Sequence, residues 1–166
     1  GGATRERAVA KESEAAKGAE AFDPLRLDLQ LCFALYTASN LMTRAYRPLL
    51  EPLGLTYLQY LALMALWAEA PQSIGDLGRR LGLDASTLTP LCKRMENAGL
   101  ITRSRDPGDA RRGIIDLTPH ARALREKAVS VPTAMFCQLP MPLEESVALK
   151  ASIEKLIAGL RQITPD

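Results

Sequence analysis

Residues 73–117 read SIGDLGRRLGLDASTLTPLCKRMENAGLITRSRDPGDARRGIIDL, and the pattern changes once along that run. Ser73, followed three residues later by Asp76, caps a short helix carrying Ile74, Leu77 and Leu81. Gly82-Leu83-Asp84 forms a tight turn into a second helix, Ala85 to Ala98, with Gly99 at the position that closes it. Leu88, Leu91 and Met95 lie on one side of this helix, and Ser86, Pro90, Lys93, Arg94 and Asn97 on the other. Pro90 lacks an N–H, so local distortion is expected there. Beyond Gly99 the period shortens. Leu100–Arg105 and Arg112–Leu117 read as short strands joined by the turn chemistry of Asp106-Pro107-Gly108-Asp109. Two short helices followed by a hairpin make a winged helix-turn-helix.

Working outward, Thr56 and Gln59 form a capping box for a nearly all-apolar helix containing Tyr57, Tyr60, Leu63, Leu66 and Trp67, which Pro71 closes. Upstream, Leu27, Leu31, Leu35, Ala38 and Met42 draw one apolar stripe along a helix predicted from Pro24 to Leu50. Downstream, Thr118-Pro119 opens a helix to about Val129, which Pro132 should kink before it continues to Cys137. Leu139-Pro140-Met141-Pro142 ends it, and a last helix runs from Leu143 to about Ile163.

The expected fold is therefore mostly α with a small β-hairpin wing: a winged helix-turn-helix over 55–117, flanked by helical dimerisation segments at 22–54 and 118–166. Terminal helices with apolar stripes and no partner in the chain imply a homodimer, and two-fold dimers suit the reading of palindromic DNA. Residues 1–21 carry four basic and four acidic side chains without apolar periodicity and read as a disordered or frayed arm.

Composition narrows the function. A formal net charge of +2 over 166 residues does not by itself argue for nucleic acid. Between Lys93 and Arg112, however, six basic residues face three acidic ones. Three scattered cysteines do not form a secreted disulfide framework. With no signal-like or membrane-length apolar run, a cytoplasmic protein is expected, and no membrane partner. His120 has no second ligand one turn away, so no metal and no cofactor is expected. Cys92, at the edge of the apolar face, reads as packing.

Cys32 lies in Leu31-Cys32-Phe33-Ala34-Leu35-Tyr36, where a thiol is ordinarily inert. Its neighbourhood changes that reading. The order of elements resembles the MarR family of dimeric winged-helix transcription regulators, and the wing Arg103–Arg111 matches that family's Asp-x-Arg pattern. Leu31–Tyr36, Tyr46-Arg47-Pro48-Leu49-Leu50, Leu53–Tyr57 and Leu83–Leu91 look like the OhrR branch, repressors that sense organic hydroperoxides. The resemblance covers roughly residues 25 to 160. It implies that Cys32 is the reactive thiol and that Tyr46 and Tyr57 support it. It further implies that Cys137 is the second cysteine of a two-cysteine sensor, closing an intersubunit disulfide with Cys32. Operator DNA would be held in the reduced state and released on oxidation.

Residue chemistry adds constraints. A peroxide is reduced by a thiolate. No Lys, Arg or His lies within a helical turn of Cys32, so hydroxyl donors must serve. Tyr46 is fourteen residues along the same helix, about 21 Å away, so it must come from the other subunit. Tyr36, one turn away, can reach Cys32 within the chain. The apolar residues Leu31, Phe33, Leu35 and Trp67 favour organic over hydrogen peroxide. For DNA, Ser86, Thr87, Thr89, Lys93 and Arg94 are assigned to the major groove and flanking phosphates. Arg111, held by Asp109, is assigned to the minor groove, and Arg103 and Arg105 to phosphates. Two other functions share these features: a regulator of the same fold sensing a small phenolic ligand, and a thiol peroxidase. The absence of a Thr-x-x-Cys loop and the presence of a wing argue against an enzyme.

Overall fold

The computed structural model describes residues 2–20 and 22–165, with the side chains of 12–20 excepted. The chain divides into two compact units, residues 1–44 and 45–166.

In the first unit, helix α1 covers Gly2–Glu20. This corrects the expectation of a disordered arm, although Gly1 and Ala21 lie outside the described residues. Ala, Glu, Lys and Arg are the strongest helix formers, and nineteen residues exceed the ~12–15 below which isolated helices are marginal in water. The missing apolar stripe deprives the segment of a packing face but not of its helix.

Helix α2 spans Leu31–Leu50. It begins seven residues later than the periodicity suggested. Leu27–Leu29 form a single 3₁₀ turn, and Gln30 is extended at φ −86°, ψ 120°. Local hydrogen bonds account for the difference. Asp23 accepts from the Leu25 N–H, and the Gln30 amide donates to the Pro24 and Arg26 carbonyls, occupying groups that a continuous helix would need.

The second unit holds the core. Helix α3, Tyr57–Ala68, starts on the expected capping box, with Thr56 Oγ1 and Gln59 Oε1 each accepting from the other's main-chain N–H. Its residues Tyr60, Ala62, Leu63 and Leu66 are buried. Around them pack Leu77 of α4 (Ile74–Leu81), Leu88, Leu91 and Met95 of α5 (Ala85–Asn97), and Leu124 of α6 (Pro119–Ala128). The Trp67 indole donates to the Ala121 carbonyl at 2.9 Å, tying α3 to α6.

Strands β2 (Ile101–Asp106) and β3 (Asp109–Leu117) form the wing; β2 is shifted by one residue from the run read from sequence, and β3 begins three residues earlier than its run. They pair antiparallel from Ile101↔Leu117 to Asp106↔Asp109, with an irregularity at Arg105/Asp106. A two-residue strand β1, Gln72–Ser73, pairs with Ile114 and Ile115 of β3 and makes a three-stranded sheet in the order β1-β3-β2. Two residues beside a proline carry no period, so β1 was not anticipated.

Thr118 joins the sheet to the helices that follow. Its hydroxyl accepts from Ala121 N–H at 3.1 Å to cap α6 and donates to the Gly99 carbonyl at 2.6 Å. The expected kink falls at Val129, three residues before Pro132, and separates α6 from α7 (Ser130–Gln138). Pro132 offers no N–H to the Ala128 carbonyl, so the ladder breaks one turn upstream of the proline. Helix α8, Leu143–Ile163, matches its expected bounds and has no buried residue. Among the described residues, no single helix is long and apolar enough to cross a membrane.

The helix-turn-helix is held at close quarters by Gly78. A Cβ added there would sit 2.9 Å from Leu88 Cδ2 and 3.2 Å from the Leu83 carbonyl oxygen. Gly78→Ala should therefore force α4 and α5 apart and cost about 1–3 kcal/mol, measured as a fall in the urea midpoint at unchanged slope.

Candidate functional site

The residues singled out by the sequence fall into three sets in the structure. The first is on α2. Leu31, Cys32, Phe33 and Tyr36 are all exposed, with Leu31 65 % and Tyr36 66 % accessible, so the N-terminal thiol sits on an open apolar helix face. Tyr46 lies fourteen positions after Cys32 in α2.

The second set is in the 45–166 unit, where Tyr46 and Tyr57 come together. Their ring centroids lie 5.0 Å apart at an interplanar angle of 43°. Tyr60 joins them, 5.8 Å from Tyr46, and is only 3 % exposed. Sequence reading placed Tyr60 in the core and did not count it with the site. Its spacing of three from Tyr57 on one helix was the available signal. Burial holds all three phenols above their ordinary ionisation, and the neighbouring Tyr46 adds to the effect on Tyr57 and Tyr60. Near neutral pH the three phenols therefore keep their protons.

The three thiols differ sharply. Cys32 and Cys137 are exposed, Cys137 in the last turn of α7. Cys92 is fully buried beneath α5, and burial pushes its thiol up, with the Arg103 charge opposing. Cys92 is a packing residue, as its position suggested. Trp67, expected among the apolar neighbours of Cys32, packs against the winged-helix core with its N–H committed to Ala121.

The third set is the basic face. Ser86, Thr89, Lys93 and Arg94 are exposed on α5, and Thr87 is half-buried. Asp84 caps α5 by accepting from Thr87 N–H at 2.9 Å, and it also takes the Ser86 hydroxyl at 2.8 Å. These bonds hold its carboxyl below the ordinary carboxylate range. On the wing, Arg103, Arg105, Asp109 and Arg111 are exposed. Asp109 does hold Arg111, but through its main chain: Oδ1 accepts the Arg111 N–H at 3.0 Å, leaving the guanidinium free of that contact. Arg105 donates to the Ala110 carbonyl at 3.4 Å across the hairpin.

An exposed basic recognition helix beside a basic wing places the fold among winged helix-turn-helix regulators. The MarR family profile matches residues 55–112. The organic hydroperoxide resistance transcriptional regulator of Bacillus subtilis is 43 % identical over 141 residues, covering 85 % of this chain and 96 % of that protein. The chain belongs to the MarR family.

Among solved structures, reduced AbfR bound to DNA superposes with a TM-score of 0.73 at 36 % identity, covering 84 % of this chain and 96 % of that one. AbfR is a protein of Staphylococcus epidermidis. Its overoxidised form, also bound to DNA, gives 0.69 at 37 % identity over 85 % and 97 % of the two chains. Its disulfide form gives 0.57 at 38 % over 81 % and 94 %.

The phenol cluster has a measurable signature. A phenol whose folded ionisation is raised contributes stability that is full below its unfolded value and lost as pH rises through the folded one. Tyr46, Tyr57 and Tyr60 should thus ionise above pH 10.0, with unfolding setting in on that alkaline limb. Tyr46→Phe should lower the midpoints of the other two, read by tyrosinate ultraviolet absorbance. A profile unchanged by that substitution would mean that the rings are not neighbours.

Proposed function

We infer that this protein is a redox-sensing transcriptional repressor. It binds operator DNA as a homodimer when reduced and lets go when Cys32, oxidised by an organic hydroperoxide, closes an intersubunit disulfide with Cys137. The observation that carries the reading is the sorting of the thiols: Cys32 and Cys137 lie open, and Cys92 is sealed in the core. The likeness to the organic hydroperoxide resistance regulator of Bacillus subtilis along nearly its whole length supports an organic hydroperoxide as the signal, and the AbfR structures support DNA binding in the reduced state.

The sequence of events follows from sulfur chemistry. The Cys32 thiolate attacks one oxygen of the peroxide, and the O–O bond breaks. The alcohol leaves after taking up a proton, and Cys32 is left as a sulfenic acid. The partner subunit's Cys137 then attacks the Cys32 sulfur, an S–S bond forms and water departs. Two equivalents of a small thiol reverse the change. Tyr46 and Tyr57 of the partner subunit donate to the sulfur before the attack, and Tyr36 serves from within the chain.

A disulfide requires the two Cα atoms within about 7 Å, so closing it draws the helices that carry Cys32 and Cys137 together. The recognition helices α5 must match major grooves about 34 Å apart, and they lose that match. Release depends on the disulfide, not on oxidation of Cys32 alone, and the overoxidised AbfR bound to DNA is in keeping with that.

The homodimer rests on uncovered apolar surface. Leu143, Val147, Ile157 and Leu160 of α8 are exposed, as are Leu31, Phe33, Leu41 and Met42 of α2. On DNA, Ser86, Thr87, Thr89, Lys93 and Arg94 serve the major groove and its phosphates. Arg111 enters the minor groove, with Asp109 fixing its main chain, and Arg103 and Arg105 meet phosphates.

Non-reducing electrophoresis beside a DNA mobility shift tests the sensor. Treated with cumene hydroperoxide, wild type should become a covalent dimer and release DNA. Cys32→Ser should do neither. Cys137→Ser should remain a monomer on the gel and keep its DNA. Release of DNA by wild type without a covalent dimer would sink the disulfide. For the interface, Lys93→Ala should lower the slope of log affinity against log salt by about 1, as one phosphate contact is lost. An unchanged slope would remove Lys93 from the phosphate set.

A further inference from the structure

The wing is braced from an unexpected direction. Strand β1 pairs only with Ile114 and Ile115, so from Gly113 outward the wing is a two-stranded ribbon. Where β3 leaves the sheet it passes hard against α4. A Cβ on Gly113 would lie 2.7 Å from Ile74 Cδ1.

The next residue outward, Arg112, turns its guanidinium onto α4, with Nη2 3.1 Å from Asp76 Oδ2. Its Nη1 lies 3.8 Å from Asp106 Oδ2 at the end of β2. Asp106 in turn accepts the Gly108 N–H at 2.9 Å and so holds the turn. Asp76 is kept ionised below the ordinary carboxylate range by hydrogen bonds with Ser73 and Arg79, helped by the Arg79 and Arg112 charges. A connected path thus runs from the first helix of the helix-turn-helix, through Asp76, Arg112 and Asp106, to the wing tip. Arg111, adjacent to Arg112 on the strand, projects to the opposite face by alternation.

We propose that Asp76 is a positioning residue for DNA binding: through Arg112 it fixes the tilt of the hairpin over α4 and so aims Arg111 at the minor groove. The proposal rests on the inferred role of Arg111. The ion pair is half-exposed and adds little to global stability. Its effect is on orientation. A ribbon of two strands can pivot where its third strand stops, and the Asp76–Arg112 contact is the first tie beyond that point.

The consequence runs against simple electrostatics. Removing a carboxylate near DNA phosphates should raise affinity, because less negative charge is brought to a polyanion. Here the loss of Asp76 should lower it.

The test uses a duplex selected from a random library by the full-length wild-type protein, with thermal midpoints confirming the fold. Asp76→Asn should weaken binding to this duplex about tenfold. Added to Arg111→Ala it should cause no further loss beyond about twofold, since both act through the same contact. Asp76→Glu, which keeps a carboxylate facing Arg112 and leaves the Arg112–Asp106 contact in place, should retain most of the affinity, which loss of the side chain's position alone would not allow. Equal or tighter binding by Asp76→Asn overturns the proposal, as does a loss that adds in full to that of Arg111→Ala. Should Asp76→Asn fail to fold, Arg112→Gln decides: a loss of affinity that vanishes in the Arg111→Ala background supports the tie, and one that adds in full refutes it. If Arg111→Ala itself binds like wild type, the minor-groove reading has failed. If Arg111→Ala loses affinity and Asp76→Asn does not, only the positioning role of Asp76 falls.

Discussion

The constraint on which everything else depends is apolar surface that the chain cannot cover by itself. Helix α8 is twenty-one residues long and buries none of them. Helix α2 buries only Leu50. Helices of this kind draw most of their stability from a packed face. Here that face has to be supplied by a second copy. In the homodimer inferred above, the same requirement places the sensor chemistry, because Cys32 stands at the open end of α2 and the phenols lie fourteen or more residues along the chain. A site that no single subunit completes is one that dimer geometry can control.

Against this open framework the winged helix-turn-helix is tightly closed. Gly78 leaves no room for a methyl group between α4 and α5, Trp67 reaches across to Ala121, and Thr118 links the end of α5 to the start of α6. Such a body moves as a unit. In the repressor proposed above, closing a disulfide outside it would change where α5 sits relative to its twin without deforming α5 itself. Cys92 belongs to the rigid part: it is buried, and burial raises its thiol, whereas Cys32 and Cys137 are exposed.

Much of the fold was legible because its signals are local. The capping box at Thr56 and Gln59, the caps at Ser73, Asp84 and Thr118, and the glycines Gly54, Gly82 and Gly99 at positive φ all mark helix ends within a few residues. The bounds of α8 were readable for the same reason, since two prolines precede it. The misreadings came where a local signal met a competing one. Apolar spacing ran the first long helix back to Pro24, whereas side-chain bonds from Asp23 and Gln30 hold that stretch out of the helix. High intrinsic propensity makes α1 a helix even though it lacks an apolar face.

Residue types and spacing by themselves determined the winged helix-turn-helix, the basic face on α5 and the wing, and the packing role of Cys92. Only the tertiary structure decided that Tyr46, Tyr57 and Tyr60 form one cluster, that Asp109 grips the main chain of Arg111, and that Asp76 and Arg112, thirty-six residues apart, meet across α4 and β3. The reason is the range of the interactions. Caps, turns and periodicity act over three or four residues and leave their mark in the order of the chain. Contacts between elements depend on how closely two backbones approach, and at the wing that distance is set by the glycine at 113.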